Sequence, residues 1–133
     1  MPEYQEPMRS EIYVTSWLSG FDADPAEITA IVGIEPSDIR RRVERPQVKE
    51  NEGSVHSGLG PEADLPTQVA SLLGRLEPAW QSLFELGPRY DAGIVCVVRS
   101  HGGDRPAIWF DSDIVKRAAE LNACIDVDLY ALP

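Results

Sequence analysis

The stretch Tyr90-Asp91-Ala92-Gly93-Ile94-Val95-Cys96-Val97-Val98-Arg99 decides the architecture, because its unbroken run of five apolar residues is the pattern of a central strand buried on both faces. Next comes Ser100-His101-Gly102-Gly103-Asp104-Arg105, which reads as a hairpin connection, since paired glycines permit the positive backbone angles of tight turns. Ala107 to Phe110 is then expected to be the returning strand. Asp111-Ser112-Asp113 places capping residues before the apolar stripe Ile114, Val115, Ala118, Ala119 and Leu121, which predicts a last helix ending at Asn122. Ile125, Val127 and Leu129 alternate with Asp126, Asp128 and Tyr130, the pattern of a final strand that buries one face and offers the other to solvent.

On the N-terminal side, Val69, Leu72, Leu73, Leu76, Trp80, Leu83 and Phe84 recur at helical spacing and predict the main core helix over 66–86. Pro78 falls inside it and is expected to kink or split it near Leu76, since proline removes a backbone hydrogen bond and crowds the preceding turn. Glu11 to Leu18 carries the period-two pattern of a first strand, with Ile12, Val14 and Leu18 set against Glu11, Tyr13 and Trp17. Asp24 and Pro25 open a short helix that runs to about Val32 and stops at Gly33. Residues 1–10 read as a tail. The 37–64 stretch, rich in charge, Gly and Ser, reads as two irregular strands or a long loop, and its length marks it as a place to look for a binding surface.

This order predicts one α+β domain over 1–133, with helices on one face of a mainly antiparallel sheet. Phe21-Asp22-Ala23-Asp24 before the first helix echoes Phe110-Asp111-Ser112-Asp113 before the last, the mark expected of a ferredoxin-like duplication. At 133 residues and 43% hydrophobic content the chain is long enough to bury one core. Its 22 acidic against 12 basic residues give a formal charge of −10, which disfavours nucleic acid and anionic lipid as partners and favours a neutral or basic protein surface. No window approaches the roughly 18 apolar residues of a membrane span, and Met1 to Glu11 lacks a signal-peptide pattern, so a cytoplasmic location is expected. Cys96 and Cys124 lie in apolar runs without metal or redox spacing and read as buried thiols, and no cofactor motif is written in the chain.

Asp22-Ala23-Asp24-Pro25-Ala26-Glu27-Ile28-Thr29, then Gly33-Ile34-Glu35-Pro36, then Leu76-Glu77-Pro78 and a terminal Asp128-Leu129-Tyr130, together resemble the bacterial Domain of Unknown Function 4279 family across nearly the whole chain. The run from Asp24 to Pro36 is the most specific part. The resemblance implies an α+β domain of this size and a bacterial source, and it brings no reaction, cofactor or catalytic residues.

Several residues are candidates for function. Tyr13 and Trp17 share one face of the first strand, and with Tyr130 they are expected to form an aromatic patch beside Asp126 and Asp128, fit for a basic protein partner; burial under the 36–61 stretch is the competing reading. Arg40, Arg41, Arg42 and Arg45 form a basic island that, with His101 and Arg105, suits an anion; pairing of the arginines with Glu35, Asp38 and Glu44 competes with that use. His56 and His101 fall in loop-like sequence, where a solvated imidazole is expected. Asp126 and Asp128, with Asp22, Asp24, Asp111 or Asp113, supply carboxylates for a divalent cation, against the plainer roles of capping helices and solubilising a sheet face; no calcium-loop spacing is present.

The chain lacks a sequence-adjacent nucleophile and base, so the leading expectation is a non-enzymatic protein-binding module, of the class of an immunity or antitoxin-like inhibitor of a basic toxin domain. A small-molecule or anion-binding regulatory domain is the alternative, and a metal-dependent hydrolase the third reading. A homodimer through the exposed edge of the first or last strand is compatible with all three.

Overall fold

A computed structural model describes residues 9–21, 25–40, 51–86 and 89–133. In chain order these form β1 (Glu11–Phe21), α1 (Pro25–Val32), β2 (Asp38–Arg40), β3 (Asn51–His56), α2 (Leu65–Leu76), a 3-10 turn (Glu77–Ala79), α3 (Trp80–Leu86), β4 (Asp91–His101), α4 (Ser112–Glu120) and β5 (Ala123–Leu132). The strands make one sheet in the order β2-β3-β1-β4-β5, antiparallel except for the parallel pair β4 and β5. The α+β class is therefore as expected; in the 37–64 stretch, read as two irregular strands or a long loop, the described residues include β2 and β3. The helix split falls where Pro78 requires it: α2 ends at Leu76, and the proline sits in the 3-10 turn before α3 begins. Asp24, the expected cap of α1, lies outside the described residues.

The hairpin after β4 is not formed. Residues 104–111 have no regular structure, and β4 instead crosses through α4 to β5, a β-α-β unit. Both glycines do adopt positive φ, 59° at Gly102 and 79° at Gly103, but the turn they make leads out of the sheet. β1 fills one side of β4 along Asp91–Arg99 and β5 the other along Ala92–His101, which leaves Ala107 to Phe110 no slot beside the strand's apolar run. Ile108 and Trp109 consequently stand 43% and 61% exposed. Asp111 rather than Asp113 caps α4, its Oδ1 accepting from Ile114 N at 2.8 Å. The four-residue echo does not extend to topology, since β1 pairs antiparallel with β3 whereas β4 and β5 pair parallel as neighbours.

The core lies on one side of the sheet. Leu65, Val69, Leu72, Leu73 and Leu76 of α2 pack against Ile12 and Val14 of β1 and Ile94, Cys96 and Val98 of β4, joined by Ile114, Ala118 and Leu121 from α4 and its end. Val115 points away, 52% exposed, because positions 114, 118 and 121 already define the inward face of α4. Inside this core Gln68 is fully buried. Its Nε2 donates to the carbonyl oxygens of Ile12 (2.5 Å), Ala63 (3.0 Å) and Gly60 (3.3 Å), and its Oε1 accepts from Ser57 Oγ at 3.1 Å. One amide thus ties α2 to the start of β1 and to the 57–63 loop. Among the described residues no helix is long and apolar enough to cross a membrane.

Replacing Gln68 by leucine keeps the volume but strands the Ile12 and Ala63 carbonyls, and a buried acceptor left without a donor costs about 1–3 kcal/mol. Gln68→Leu should lower the unfolding free energy by about 2 kcal/mol in urea titrations, whereas exposed Thr67→Ala should change it by less than about half of that.

Candidate functional site

Among the described residues every helix lies on one side of the sheet, and none covers the other face. Side chains alternate along each strand, so the residues on that face follow from the strand register. Three rows run across β1, β4 and β5: Tyr13, Val97 and Asp128; Thr15, Val95 and Asp126; Trp17, Gly93 and Cys124. A fourth, Glu11, Arg99 and Tyr130, closes the end nearest the β4 terminus. All five residues expected to form the protein-binding patch, Tyr13, Trp17, Asp126, Asp128 and Tyr130, therefore share one face. Tyr13 is 42% and Tyr130 52% exposed, and both aspartates are exposed. The apolar run of β4 does not mean burial on both faces: Val95 and Val97 are half-buried among their open-face neighbours, and only Ile94, Cys96 and Val98 reach the core.

Trp17 is held by a contact that no single strand reveals. A Cβ added to Gly93, its cross-strand partner, would come within 2.5 Å of the Trp17 ring. The absence of a side chain at position 93 lets the indole lie down over β4, half-buried, with its outer surface left on the open face. Glu11, which sequence reasoning passed over, organises the other end. Its Oε2 accepts from the Tyr13 hydroxyl at 2.6 Å, and its Oε1 lies 3.2 Å from His101 Nε2. The Tyr13 hydrogen bond, and after it the one to His101, holds the Glu11 carboxyl below its ordinary range, and the same Glu11 contact raises the phenol of Tyr13. His101 is not a solvated loop residue: it ends β4, 7% exposed, because Glu11 from the opposing strand supplies its partner. His56, at the end of β3, is exposed.

Among the described residues of the anion reading, Arg40 and His101 are not brought together. Arg40 ends β2 at one edge of the sheet, paired with Glu52, which in turn opposes Ser19 near the far end of β1. His101 lies at the opposite end, and Arg41 and Arg42 lie outside the described residues. Arg105 is exposed in the 104–111 segment. A cleft of about 770 Å³ does open beside His101, lined among others by Arg9, Glu62, Asp64 and Asp104. Two of its carboxylates already have partners: Asp64 caps α2 by accepting from Thr67 N, and Asp104 accepts from Ser10 Oγ at 2.6 Å. A second cavity, of about 90 Å³, lies between sheet and helices, lined by Leu18, Ile34, Val55, Leu76, Leu83 and other apolar groups, and is too small for an ordinary ligand.

Cation ligation has no convergent set either. Among the described residues no three of His, Cys, Asp and Glu gather at metal-binding distance. Asp126 and Asp128 stand on the open face, Asp111 and Asp113 at the start of α4 on the other side, and Asp22 and Asp24 lie outside the described residues. Cys96 is buried as expected, its thiol pushed up to about 11 by burial and then by the charge of Asp126, which leaves it protonated and unreactive at neutral pH. Cys124 is exposed, contrary to expectation, because its row faces solvent at the sheet edge.

Comparison with known families finds one match over nearly the whole chain: residues 10–132 fit the family described as Domain of unknown function (DUF4279). No curated protein and no solved structure matches the chain.

Two outcomes follow from this geometry. Gly93→Ala drives a methyl group into the Trp17 ring and should destabilise the fold by about 1–3 kcal/mol in thermal unfolding, a loss that the double variant with Trp17→Leu should largely recover. Glu11 has a depressed folded-state value, so its share of stability is complete above the ordinary 4.5 and is lost as pH falls through the lower folded value. Glu11→Gln should therefore flatten the fall in melting temperature below pH 4.5; Asp64 and Asp104, shifted in the same direction, should preserve the remainder of that fall.

Proposed function

This chain belongs to the DUF4279 family, and we propose that it is a non-enzymatic protein-binding module whose open sheet face engages a basic protein partner. The observation that carries the reading is the exposure of Tyr13 and Tyr130 on the same face as Asp126 and Asp128, which no described helix covers. Aromatic side chains offer large contact areas for little loss of conformational freedom and are enriched among the residues that dominate binding energy. The aspartates add direction. Along β1, β4 and β5 the open-face positions carry Glu11, Asp91, Asp126 and Asp128 against Arg99, and the whole chain carries −10. Such a field accelerates encounter with a cationic surface.

Cationic enzymes that act on nucleic acid are the class of partner this charge suits, since their own charge complements a polyanionic substrate. An immunity or antitoxin-like inhibitor of a basic toxin domain, working in the cytoplasm of a bacterium, is the specific form of the proposal. The anion-binding alternative receives less support, because Arg40 and His101 lie toward opposite ends of the sheet.

Affinity capture of the tagged chain from its native cells, at low and high salt, tests the reading. The expected result is one basic protein, held at low salt, released as salt rises, and lost from the variant Tyr130→Ala/Asp126→Asn/Asp128→Asn while Glu77→Gln on the helix side retains it. With that partner purified, its association rate should fall roughly tenfold between dilute and half-molar salt. Capture that ignores both salt and the face variant would contradict the proposal.

A further inference from the structure

β5 ends the sheet order, and among the described residues no strand lies beyond it. The direction of its backbone groups follows from one bond. Gly102 N donates to Leu132 O at 3.2 Å, so that carbonyl faces β4. Within a strand the N–H and C=O of one residue leave on the same side, and the side alternates from residue to residue. Ile125, Val127, Leu129 and Ala131 therefore turn their backbone groups outward along the free edge. Their side chains lie on the helix-bearing face, in register with Ile94, Cys96 and Val98, yet Val127 is 37% and Leu129 58% exposed. The layer formed by α4 stops short of them.

A long edge strand is a template for another strand unless lysine, proline, a bulge or a cover blunts it. The sequence of β5 contains neither lysine nor proline. Its charges, Asp126 and Asp128, instead choose among occupants. Antiparallel pairing of two copies centred on Asp126, Val127 or Asp128 sets aspartate opposite aspartate, and each copy brings a net charge of −10. A strand with cations at alternate positions meets both carboxylates at their own i, i+2 spacing and turns its other side chains toward Val127 and Leu129.

We propose that the free edge of β5 accepts an extended segment of a basic partner by strand addition, with lysine or arginine opposite Asp126 and Asp128 and apolar side chains beside Val127 and Leu129. This deepens the protein-binding reading and rests on it. Backbone hydrogen bonds supply the grip, and the alternating pattern supplies the selectivity.

The test is an amide-exchange and chemical-shift titration of the full chain with a capped synthetic peptide as long as β5, alternating lysine and valine, beside one of equal composition with its lysines and valines in two blocks. The expected result is slowed exchange at Ile125, Val127, Leu129 and Ala131, and binding about tenfold weaker for the blocked peptide. Val127→Pro removes an outward N–H that the sheet does not use, so it should keep the fold and weaken binding about tenfold. Asp126→Lys/Asp128→Lys should transfer the preference to an alternating glutamate and valine peptide, which keeps the test valid if the proline variant fails to fold. Shifts confined to open-face positions such as Tyr13 and Arg99, insensitive to Val127→Pro, would overturn strand addition and leave the protein-binding reading standing. No binding by either peptide would overturn strand addition alone, since the captured partner reports on the broader reading separately. Edge amides already slow in a free chain of doubled mass would give the edge to a second copy and overturn the basic occupant.

Discussion

The packing of the α2 stripe, Leu65, Val69, Leu72 and Leu73, onto Ile12, Val14, Ile94, Cys96 and Val98 determines how everything else is disposed. Burying side chains of this size stabilises by roughly 1.5–3 kcal/mol each, so this contact commits both central strands to one face. Gln68 fixes the angle of approach, because its amide must meet carbonyls from β1 and from the 57–63 loop at once. With α4 on the same side, no described helix covers the opposite face of the five-stranded sheet. The candidate site is a consequence of that asymmetry rather than a pocket built for a ligand.

Much of this was legible in the sequence, where each element leaves a local trace. The proline inside the long helical pattern located the α2–α3 break, and Asp111 followed by an apolar stripe located α4. Strand pairing leaves no such trace. Gly102 and Gly103 are as compatible with a turn out of the sheet as with a hairpin, and only the pairing of β1 and β5 on the two sides of β4 excludes the returning strand. The valines of β4 likewise suggest burial on both sides, whereas two of the three, Val95 and Val97, merely stand among neighbours on an open face.

The site residues divide in the same way. Alternation along β1 and β5 was enough to put Tyr13 and Trp17, and Asp126, Asp128 and Tyr130, on common faces of their own strands; the register shows that both faces are the same side of the sheet. What the sequence did not disclose depends on partners far apart in the chain. Glu11 lies 90 residues from the His101 it holds, and the Gly93 that seats Trp17 looks like any other glycine in a strand. Gln68 did carry a signal: it falls on the apolar stripe between Leu65 and Leu72, where a surface residue has no place.

A sheet face that no described helix covers, aromatic and acidic and bordered by the outer edge of β5, underlies the proposal of a cationic protein partner. Hydrogen–deuterium exchange of the chain, free and bound to its captured partner, tests this most directly. The account predicts slowed exchange in the peptides spanning 11–17 and 124–132, with the helices unchanged. Protection confined to α1, α2, α3 or α4, with both strands exchanging as in the free chain, would contradict it.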